Sequence, residues 1–394
     1  MRKSEGSAWR MRVQRIWTDE RARGVILQLL LILALLLVLA FIVSNTVANL
    51  QRAGLASGYG FLGSTASFDI NQRLIQYDST STYGRAFVVG GLNTILVACL
   101  GILAATIIGF VAGVMRLSRN FFISRIVGAY VEFTRNVPLL IQIIFWWVVI
   151  LALPKVRDGI SFGDTLFLNN RGVRLPAPII EDGAGIILVA LALGIAITWQ
   201  IARRARKRQD ETGQIFPVVR TGFALIIGLP LVTYFLAGSP IDFDIPVAGK
   251  FNLKGGFNIT PELVALWVAL STYTGAFIAE VVRAGILSVG KGQTEASGAL
   301  GLRPGLTMRK IILPQALRVI IPPLTSQYLN LTKNSSLAVA IGYQDIVSIG
   351  DTIMNQSGQA LEVISIYMLF YLTISVLTSL FMNWYNARIA LVER

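Results

Sequence analysis

Long runs of apolar residues dominate this 394-residue chain. A helix that crosses a bilayer needs about 20 mostly apolar residues, and eight runs come close to or exceed that length. Six of them carry no charge and span residues 25–51, 86–115, 136–154, 183–202, 221–241 and 363–387. Two more runs are less regular. Residues 263–279 are followed at once by Glu280, and residues 319–344 are interrupted only by Lys333. We therefore predict an all-α polytopic membrane protein with about eight transmembrane helices.

Composition and charge support a membrane protein. Hydrophobic residues make up 54% of the chain and charged residues only 14%, whereas soluble domains carry roughly a quarter charged residues. The net charge of +14 indicates either a nucleic-acid partner or an orientation signal in a membrane. The positions of the charges distinguish these two interpretations.

Basic residues gather in alternate loops. Segments 1–24, 116–135, 203–220, 280–318 and 388–394 hold 25 Lys+Arg against 9 Asp+Glu, net +16. The segments between them, 52–85, 155–182, 242–262 and 345–362, hold 9 basic and 12 acidic residues, net −3. Positive charge collects on the cytoplasmic side of membrane proteins. We therefore expect both termini to be cytoplasmic and no nucleic-acid partner.

The chain then divides into four predicted regions. These are a basic cytoplasmic N-terminus (1–24), a first transmembrane anchor (25–47), a periplasmic loop (48–85) and a transmembrane domain (86–390). The apolar run of the anchor is longer than the roughly 7–15 residues of a signal-peptide core, so we expect it to stay uncleaved. Segments 155–182 and 238–261 are rich in Gly, Pro and mixed charge, which is typical of loops. The basic run 203–208 is expected to be a topology signal, and binding of RNA or of anionic lipid is the alternative.

Several chemistries are excluded or weakly supported. The chain has no histidine and a single cysteine, Cys99, so His/Cys metal sites, intrachain disulfides and imidazole catalysis are excluded. Residues 58–63 fit G-x-G-x-x-G, but without the strand that a dinucleotide site requires, and a flexible glycine loop is expected instead. Residues 285–292 resemble a phosphate-binding loop, yet Gly292 stands where Ser or Thr would hold magnesium. We predict no metal, no nucleotide and no cofactor bound by this chain.

Residues inside the predicted spans suggest packing and a polar pathway. Gly109 and Gly113 lie one turn apart, which favours close helix packing in lipid, and Cys99 is expected to be a small buried residue. Glu280 and Arg283 are spaced as an i,i+3 pair. Lys333 lies in a span that we expect Pro322-Pro323 to break. An intramembrane lysine either lines a polar pathway or serves as structural glue, and the sequence leaves both open.

The loop between the sixth and seventh predicted spans, within residues 280–318, is predicted to form a helical elbow. Thr294 suits an N-cap, and Gly301 suits the position after a helix end. Ala296, Ala299 and Leu300 then fall on one small apolar face. Pro304 ends any continuation, and a helix restarts over 306–313 before Pro314 begins the next one. Because the elbow has no core of its own, its apolar face needs a partner protein.

This elbow matches a specific motif. The pattern E-A-x4-G-x9-I-x-L-P is formed by Glu295, Ala296, Gly301, Ile311, Leu313 and Pro314, and only Ser297 departs from it, replacing a second alanine. It resembles the EAA loop of permease subunits of ABC importers. Further matches to the polar amino-acid (histidine/glutamate-type) family, closest to its general L-amino-acid branch, occur at residues 91–94, 130–140, 313–316, 333–338 and 355–360.

The resemblance implies a fold, a function and partners. The fold is that of a type I ABC importer permease with a two-helix insertion at about 155–258 and an EAA coupling loop at 290–315. The implied function is ATP-driven uptake of L-amino acids, polar or acidic ones and their amides, across the bacterial inner membrane. Partners would be a second, homologous but non-identical permease, two cytoplasmic ATPase subunits that bind ATP and Mg, and a periplasmic amino-acid-binding protein. This chain itself would be non-catalytic.

Candidate site residues follow from both lines of reasoning. The coupling loop comprises Glu295, Ala296, Ser297, Gly301, Ile311, Leu313 and Pro314. The candidate translocation pathway comprises Lys333, Asn334, Ser335, Arg135 and Asn136. An ion-coupled secondary transporter or channel is the alternative, but it leaves the EAA loop unexplained. A membrane-embedded enzyme is less well supported because no paired intramembrane carboxylates or metal-ligand cluster is present.

Overall fold

The computed structural model describes residues 20–52, 58–163, 165–181, 183–248 and 253–389. Most of the predicted N-terminal region, residues 1–19, lies outside this part of the chain. The described chain is mostly helical. Its α-helices are α1 (Glu20–Arg52), α2 (Tyr83–Met115), α3 (Phe121–Asn136), α4 (Leu139–Leu151), α5 (Gly185–Thr212), α6 (Val218–Leu236), α7 (Pro261–Leu287), α8 (Lys291–Ala299), α9 (Pro304–Thr307), α10 (Leu313–Asn334), α11 (Ile346–Ser357) and α12 (Ala360–Ile389).

Six of these helices are long and apolar enough to cross a membrane, namely α1, α2, α5, α6, α7 and α12. Two bent helix pairs raise the number to eight if each counts as one span. The first pair is α3 and α4, bent by 110°, and the second joins the helical stretch Pro304–Ile341 to α11 with a bend of 53°. The prediction of a helical, polytopic membrane protein with about eight spans is confirmed.

The third span differs from its prediction. The predicted run 136–154 contains only α4, whereas α3 occupies most of 116–135, which was predicted to be a basic loop, and Val137 and Pro138 separate the two helices. The Asn120 side chain caps α3, accepting hydrogen bonds from the backbone N–H groups of Phe122 (3.0 Å) and Ile123 (3.3 Å). Proline disfavours helical backbone in the residue before it, and Val137 is accordingly extended. The helix therefore stops before Pro138, and the chain bends there.

The seventh span also breaks at a different place. Pro322 and Pro323, expected to interrupt it, lie inside the continuous helix α10. Membrane helices tolerate proline where neighbouring helices and local π or 3-10 turns satisfy the freed backbone groups. Helix α10 packs on α7, whereas the π turn Met308–Ile312 and the 3-10 turn Ser335–Ile341 lie at its two ends, away from the prolines. The break comes later, after Gly342, and α11 occupies part of the segment 345–362 that was expected to be a loop.

The loops expected at 155–182 and 238–261 form short strands instead. These strands are β1 (Ile160–Phe162), β2 (Leu166–Asn169), β3 (Gly172–Leu175), β4 (Ala177–Ile180), β5 (Ile241–Asp244), β6 (Val247–Ala248), β7 (Leu253–Lys254) and β8 (Phe257–Ile259). An antiparallel sheet has the order β1-β2-β3-β8, and β4 pairs with β5 and β6 with β7. Because β4 precedes α5 and β5 follows α6, the β4–β5 pair joins the two ends of the inserted helical hairpin.

Helices α5 and α6 of this hairpin pack closely on each other. A Cβ atom at Gly194 would lie 2.8 Å from the Leu225 carbonyl oxygen, and one at Gly222 would lie 2.6 Å from Thr198 Cγ2. Glycine on each helix thus allows the two backbones to approach, as small residues do in lipid. The rest of the hairpin surface is largely exposed.

The described chain forms two compact units. The smaller one comprises the described residues up to 69 together with 77–88 and 349–373. Its hydrogen bonds join distant segments: the Gly58 N–H donates to Glu362 Oε1 (2.8 Å), and the Tyr83 hydroxyl donates to Gln356 Oε1 (3.0 Å). The glycine-rich stretch that was expected to be a flexible loop forms a 3-10 turn, Tyr59–Gly63.

An aspartate and a tyrosine organise the turn that follows in this unit. Asp78 Oδ1 accepts hydrogen bonds from the Thr80 hydroxyl (2.6 Å) and backbone N–H (2.9 Å), and these bonds lower the pKa of Asp78. Burial raises the pKa of Tyr77 to about 12, with the nearby carboxylates of Asp69 and Asp78 adding to the effect. The turn is therefore built with an ionised carboxylate and a neutral phenol at physiological pH.

The larger unit comprises residues 70–76, 89–348 and those from 374 onward, and α7 lies at the centre of its core. Helices α3, α4 and α10 pack on α7, and fourteen α7 residues are buried. Helix α2 approaches through the predicted glycines: a Cβ at Gly113 would lie 2.7 Å from Val282 Cβ, and one at Gly109 would overlap Ile278. Conversely, a Cβ at Gly275 of α7 would lie 2.9 Å from Ile108 Cγ2 of α2. Cys99, expected to be buried, is instead exposed.

The interlock between α2 and α7 generates a stability prediction. Gly109→Ala would place a methyl group in the volume of the Ile278 side chain, and overpacking of this kind costs about 1–3 kcal/mol. We expect a lower thermal unfolding midpoint of the detergent-solubilised chain by fluorescence-detected size exclusion. Gly128→Ala, also in a helix but with no atom within 4 Å of its new Cβ, is the control and should keep or raise the midpoint. Equal midpoints for the two variants would contradict the interlock.

Candidate functional site

The predicted coupling loop forms a short helix, α8, held between α7 and α10. It begins at Lys291, with Gly290 as its N-cap, four residues earlier than predicted. The predicted N-cap, Thr294, lies inside the helix, where its carbonyl accepts a hydrogen bond from the Ser297 hydroxyl (2.8 Å). Glu295 therefore sits in mid-helix rather than at the positive end. Extended backbone at Gly290, without any side-chain cap, is sufficient to start α8.

The end of α8 agrees with the prediction in detail. Gly301 adopts a left-handed conformation with φ +72°, which glycine reaches at no steric cost. Its N–H donates to the Gly298 carbonyl (2.9 Å), and the Leu302 N–H donates to the Ser297 carbonyl (3.0 Å). This pair of bonds is the Schellman motif. Pro304 is then the first residue of α9, so the chain reverses sharply and the elbow has a defined angle.

One face of α8 points into the chain and the other is open. Ser297, which stands where the family motif has alanine, is only 2% exposed, so a small residue is needed there. Ala296, Ala299 and Leu300, expected to share an apolar face, are all exposed, Leu300 at 78%. A large aliphatic side chain this exposed, at the end of a helix outside the spans, marks a surface that another protein can cover. We call Ala296, Ala299 and Leu300 the elbow face.

The elbow is tied to the membrane helices on both sides. The Gln315 side chain donates to Gln293 Oε1 (3.2 Å) and to the Ile311 carbonyl (3.0 Å), which links α8 to the beginning of α10. Met308 and Ile312 of the π turn pack against the main hydrophobic core. The predicted residues Ile311 and Leu313 are half-buried and Pro314 is exposed. These residues anchor the elbow, while the elbow face stays open.

A cluster of charges lies near the end of α7 that leads to the elbow. Glu280 pairs with Arg283 as predicted (2.5 Å between Oε1 and Nη2), but it also accepts from Arg116 and lies 3.8 Å from Arg135. One carboxylate thus joins guanidinium groups from α3, from α7 and from Arg116, which directly follows α2. Glu132, 3.8 Å from Arg116, completes the cluster.

Arg116 was predicted only as a loop charge, because Glu280, its partner on α7, lies 164 residues away in the sequence. A cavity of about 530 Å³ adjoins this charge cluster. Arg116, Arg125, Glu132 and Arg283 contribute to its lining. The cavity is therefore bordered by more positive than negative groups.

The five candidate pathway residues occupy different environments. Lys333 lies in the last turn of α10 and is exposed, with no ion pair to any residue in the described part of the chain. Asn334 beside it is half-buried, whereas Ser335 is fully buried and its hydroxyl donates to the Thr332 carbonyl (2.7 Å). Arg135 and Asn136 end α3, and both are exposed. No hydrogen bond or ion pair between described residues joins these two groups.

A buried hydrogen-bond network around Asn93 was not predicted from the sequence. The Asn93 side chain, which has no exposed surface, donates to the backbone carbonyls of Gln72 (2.7 Å) and Gln344 (2.9 Å). The Tyr343 hydroxyl donates to the Asn93 carbonyl (3.1 Å), and Thr94 Oγ1 accepts from the Ile346 N–H (3.1 Å). The network fixes the break between the Pro304–Ile341 stretch and α11. The motif Gly-Leu-Asn-Thr at 91–94 was the available signal, but it revealed nothing about its partners.

Comparison with known proteins places this architecture. Residues 101–391 match the family "Binding-protein-dependent transport system inner membrane component". The "General L-amino acid transport system permease protein AapQ" of Rhizobium johnstonii is 52% identical over 99% of this chain and 97% of its own length. The "Putative amino-acid ABC transporter permease protein YhdX" of Escherichia coli is 47% identical over 96% of this chain and 97% of its own length.

A third relative is the "Glutamate/glutamine/aspartate/asparagine transport system permease protein BztB" of Rhodobacter capsulatus. It is 40% identical over 95% of this chain and 96% of its own length. The match with the family covers well over half of the chain, and these relatives align nearly end to end. The chain therefore belongs to the family of binding-protein-dependent transport system inner membrane components, and within it to the amino-acid ABC permeases.

Proposed function

We propose that this chain is the non-catalytic, membrane-spanning permease subunit of an ATP-driven importer of L-amino acids in the bacterial inner membrane. The exposed elbow face on α8 is the observation that carries this proposal, because it supplies a docking surface for a separate ATPase. The names of the relatives support amino-acid substrates, and that of BztB supports acidic amino acids and their amides.

The partners follow from this role. Two cytoplasmic ATPase subunits bind ATP and Mg, a second permease completes the pathway, and a periplasmic binding protein delivers the amino acid. The charge distribution, +16 against −3, supports cytoplasmic termini and a cytoplasmic elbow. Closure of the ATPases on α8 would move α7 and α10, which flank it in the chain, and thereby switch the pathway between inward-facing and outward-facing states.

The pathway itself is proposed to include Lys333. Ionisable side chains within membrane spans face the bundle interior or a water-filled cavity rather than lipid. Since Lys333 is exposed and unpaired in the described chain, the surface that covers it belongs to the second permease or to the pathway between the two. Its ammonium group can then attract a substrate carboxylate. Asn334 and Asn136 can add hydrogen bonds, whereas Ser335 supports the helix turn beneath Lys333 and Arg135 is engaged with Glu280.

Charge substitutions on the elbow test the docking proposal. Leu300→Asp places a carboxylate in the elbow face, and Glu295→Lys reverses a neighbouring exposed charge. Losing one interface anchor typically costs about 2 kcal/mol, so we expect about tenfold or greater loss of ATP-dependent amino-acid uptake and of ATPase co-purification. Leu300→Met, which keeps the apolar surface, is the control. Intact uptake and intact ATPase binding in Leu300→Asp would overturn the proposal.

A substitution at Lys333 tests the pathway. Because Lys333 is exposed and has no ion pair within the described chain, Lys333→Met should leave thermal stability and ATPase co-purification unchanged. Uptake of glutamate by reconstituted transporter should fall about tenfold, corresponding to about 1.4 kcal/mol, and Lys333→Arg should retain most of it. Normal uptake by Lys333→Met would remove this residue from the pathway.

A further inference from the structure

The segment that joins the two helices of the inserted hairpin is strongly basic. Residues 203–220 hold six Lys+Arg and two Asp+Glu, net +4. The α5 helix continues to Thr212, well beyond the apolar part of its span, and then ends at Gly213, whose φ is +72° and whose N–H donates to the Gln209 carbonyl (2.9 Å). The chain turns back at this point and enters α6, so the basic turns of α5 face the returning segment.

A cavity of about 220 Å³ lies where these segments meet. Arg204 and Arg208, one helical turn apart, line it together with Ile201, Ala205 and Phe216. Residues spaced four apart share a helix face, so the two guanidinium groups border one opening. Arg204 has no hydrogen bond or ion pair with any residue in the described ranges, while Arg208 Nη2 donates to Gln214 Oε1 (2.9 Å). The cavity therefore combines the positive charge of two arginines with an apolar lining from Ile201, Ala205 and Phe216.

Apolar and aromatic residues around the cavity suit the boundary between headgroups and acyl chains. Ile215 is 81% exposed and Val219 85% exposed, although both lie beside a strongly basic segment. The Arg203 guanidinium stacks 3.9 Å from the centre of the Trp199 ring, and tryptophan is enriched at membrane interfaces. An anionic lipid suits both features, because its headgroup can pair with the arginines while its acyl chains cover the apolar residues.

We propose that this cavity, which we call the hairpin pocket (Ile201, Arg204, Ala205, Arg208 and Phe216), binds the headgroup of an anionic phospholipid from the cytoplasmic leaflet. Arginine forms bidentate hydrogen bonds with phosphate oxygens, and basic pockets beside cytoplasmic helix ends recognise anionic headgroups. The glycerol and acyl chains would lie along Phe216 and Ile215. The leaflet rests on the orientation given under Proposed function, whereas the binding itself does not depend on transport.

The other basic residues of the same helix provide a matched control. Lys207 faces away from the pocket and pairs with Glu211 (4.0 Å), and Arg206 does not line it. The doublets Arg204→Gln/Arg208→Gln and Arg206→Gln/Lys207→Gln therefore remove the same charge from the same segment. They differ only in whether that charge borders the pocket.

The test is native mass spectrometry of the full chain in detergent, titrated with phosphatidylglycerol and, separately, with phosphatidylcholine. Arg204 and Arg208 both border the pocket and arginine forms strong hydrogen bonds with phosphate oxygens, so the pocket doublet should bind phosphatidylglycerol at least about tenfold more weakly. The control doublet should stay within about threefold of the parent chain, and phosphatidylcholine should bind weakly to all three. Thermal unfolding midpoints verify that both doublets fold.

Three results would overturn the proposal. They are equal losses in the two doublets, phosphatidylcholine binding as tight as that of phosphatidylglycerol, and displacement of the lipid by inorganic phosphate at the same concentration. The last would mean that the pocket recognises a free anion rather than a lipid. Because the measurement needs no ATPase and no uptake, its failure would leave the transport proposal untouched, and the converse also holds.

Discussion

The close packing of α7 against its neighbours is the constraint on which the larger unit depends. Lipid tails are as apolar as leucine, so helices in a membrane associate by van der Waals packing rather than by the hydrophobic effect. Here that packing relies on glycines in both partners: Gly109 and Gly113 of α2 receive Ile278 and Val282, and Gly285 of α7 receives Ile320 of α10. A side chain at any of these positions would separate the backbones.

This packing also determines where the functional elements lie. Glu280, on α7, reaches Arg116 at the end of α2 and Arg135 of α3 because the helices approach so closely. One short connection later the chain enters α8, and the Gln293–Gln315 contact joins α8 to α10, which itself packs on α7. The elbow is therefore the corner of a closed frame formed by α7, α8 and α10. In the proposed mechanism, movement of an ATPase bound to the elbow face would be transmitted to α7 and α10.

The sequence predicted features that depend on local chemistry. Apolar runs identified the spans, Gly301 identified the end of α8, and Gly109 and Gly113 identified a packing face. The coupling motif predicted which residues of the elbow matter, although no observation of the described chain tests their roles. The failed predictions concern less local effects. Thr294 is a good capping residue, but Gly290 starts the helix earlier, and Pro322 is a strong helix breaker that α10 nevertheless contains.

Non-local pairing accounts for the largest omission. The strands at 160–180 and 241–259 are two to four residues long and were expected to be loops, because neither segment shows a strand pattern long enough to recognise alone. Two of the pairings are non-local, Val173 with Ile259 and Ile180 with Ile241 across the inserted hairpin, whereas β1–β2, β2–β3 and β6–β7 pair strands that are neighbours in the sequence. Arg116 and Asn93 were missed for the same reason, since Glu280 lies 164 residues from Arg116 and Gln344 lies 251 residues from Asn93.

The central claim is that the elbow face contacts an ATPase, and site-directed photo-crosslinking tests it most directly. Cys99 is the only cysteine of the chain, so Cys99→Ser provides a background in which Ala299→Cys can be labelled with a benzophenone maleimide. In the assembled transporter, irradiation should join position 299 to the ATP-binding subunit, identified by peptide mass spectrometry. The same label at position 64, in the predicted periplasmic loop, should yield no such product. The absence of an ATPase crosslink at 299 in a transporter that still takes up amino acids would contradict the account.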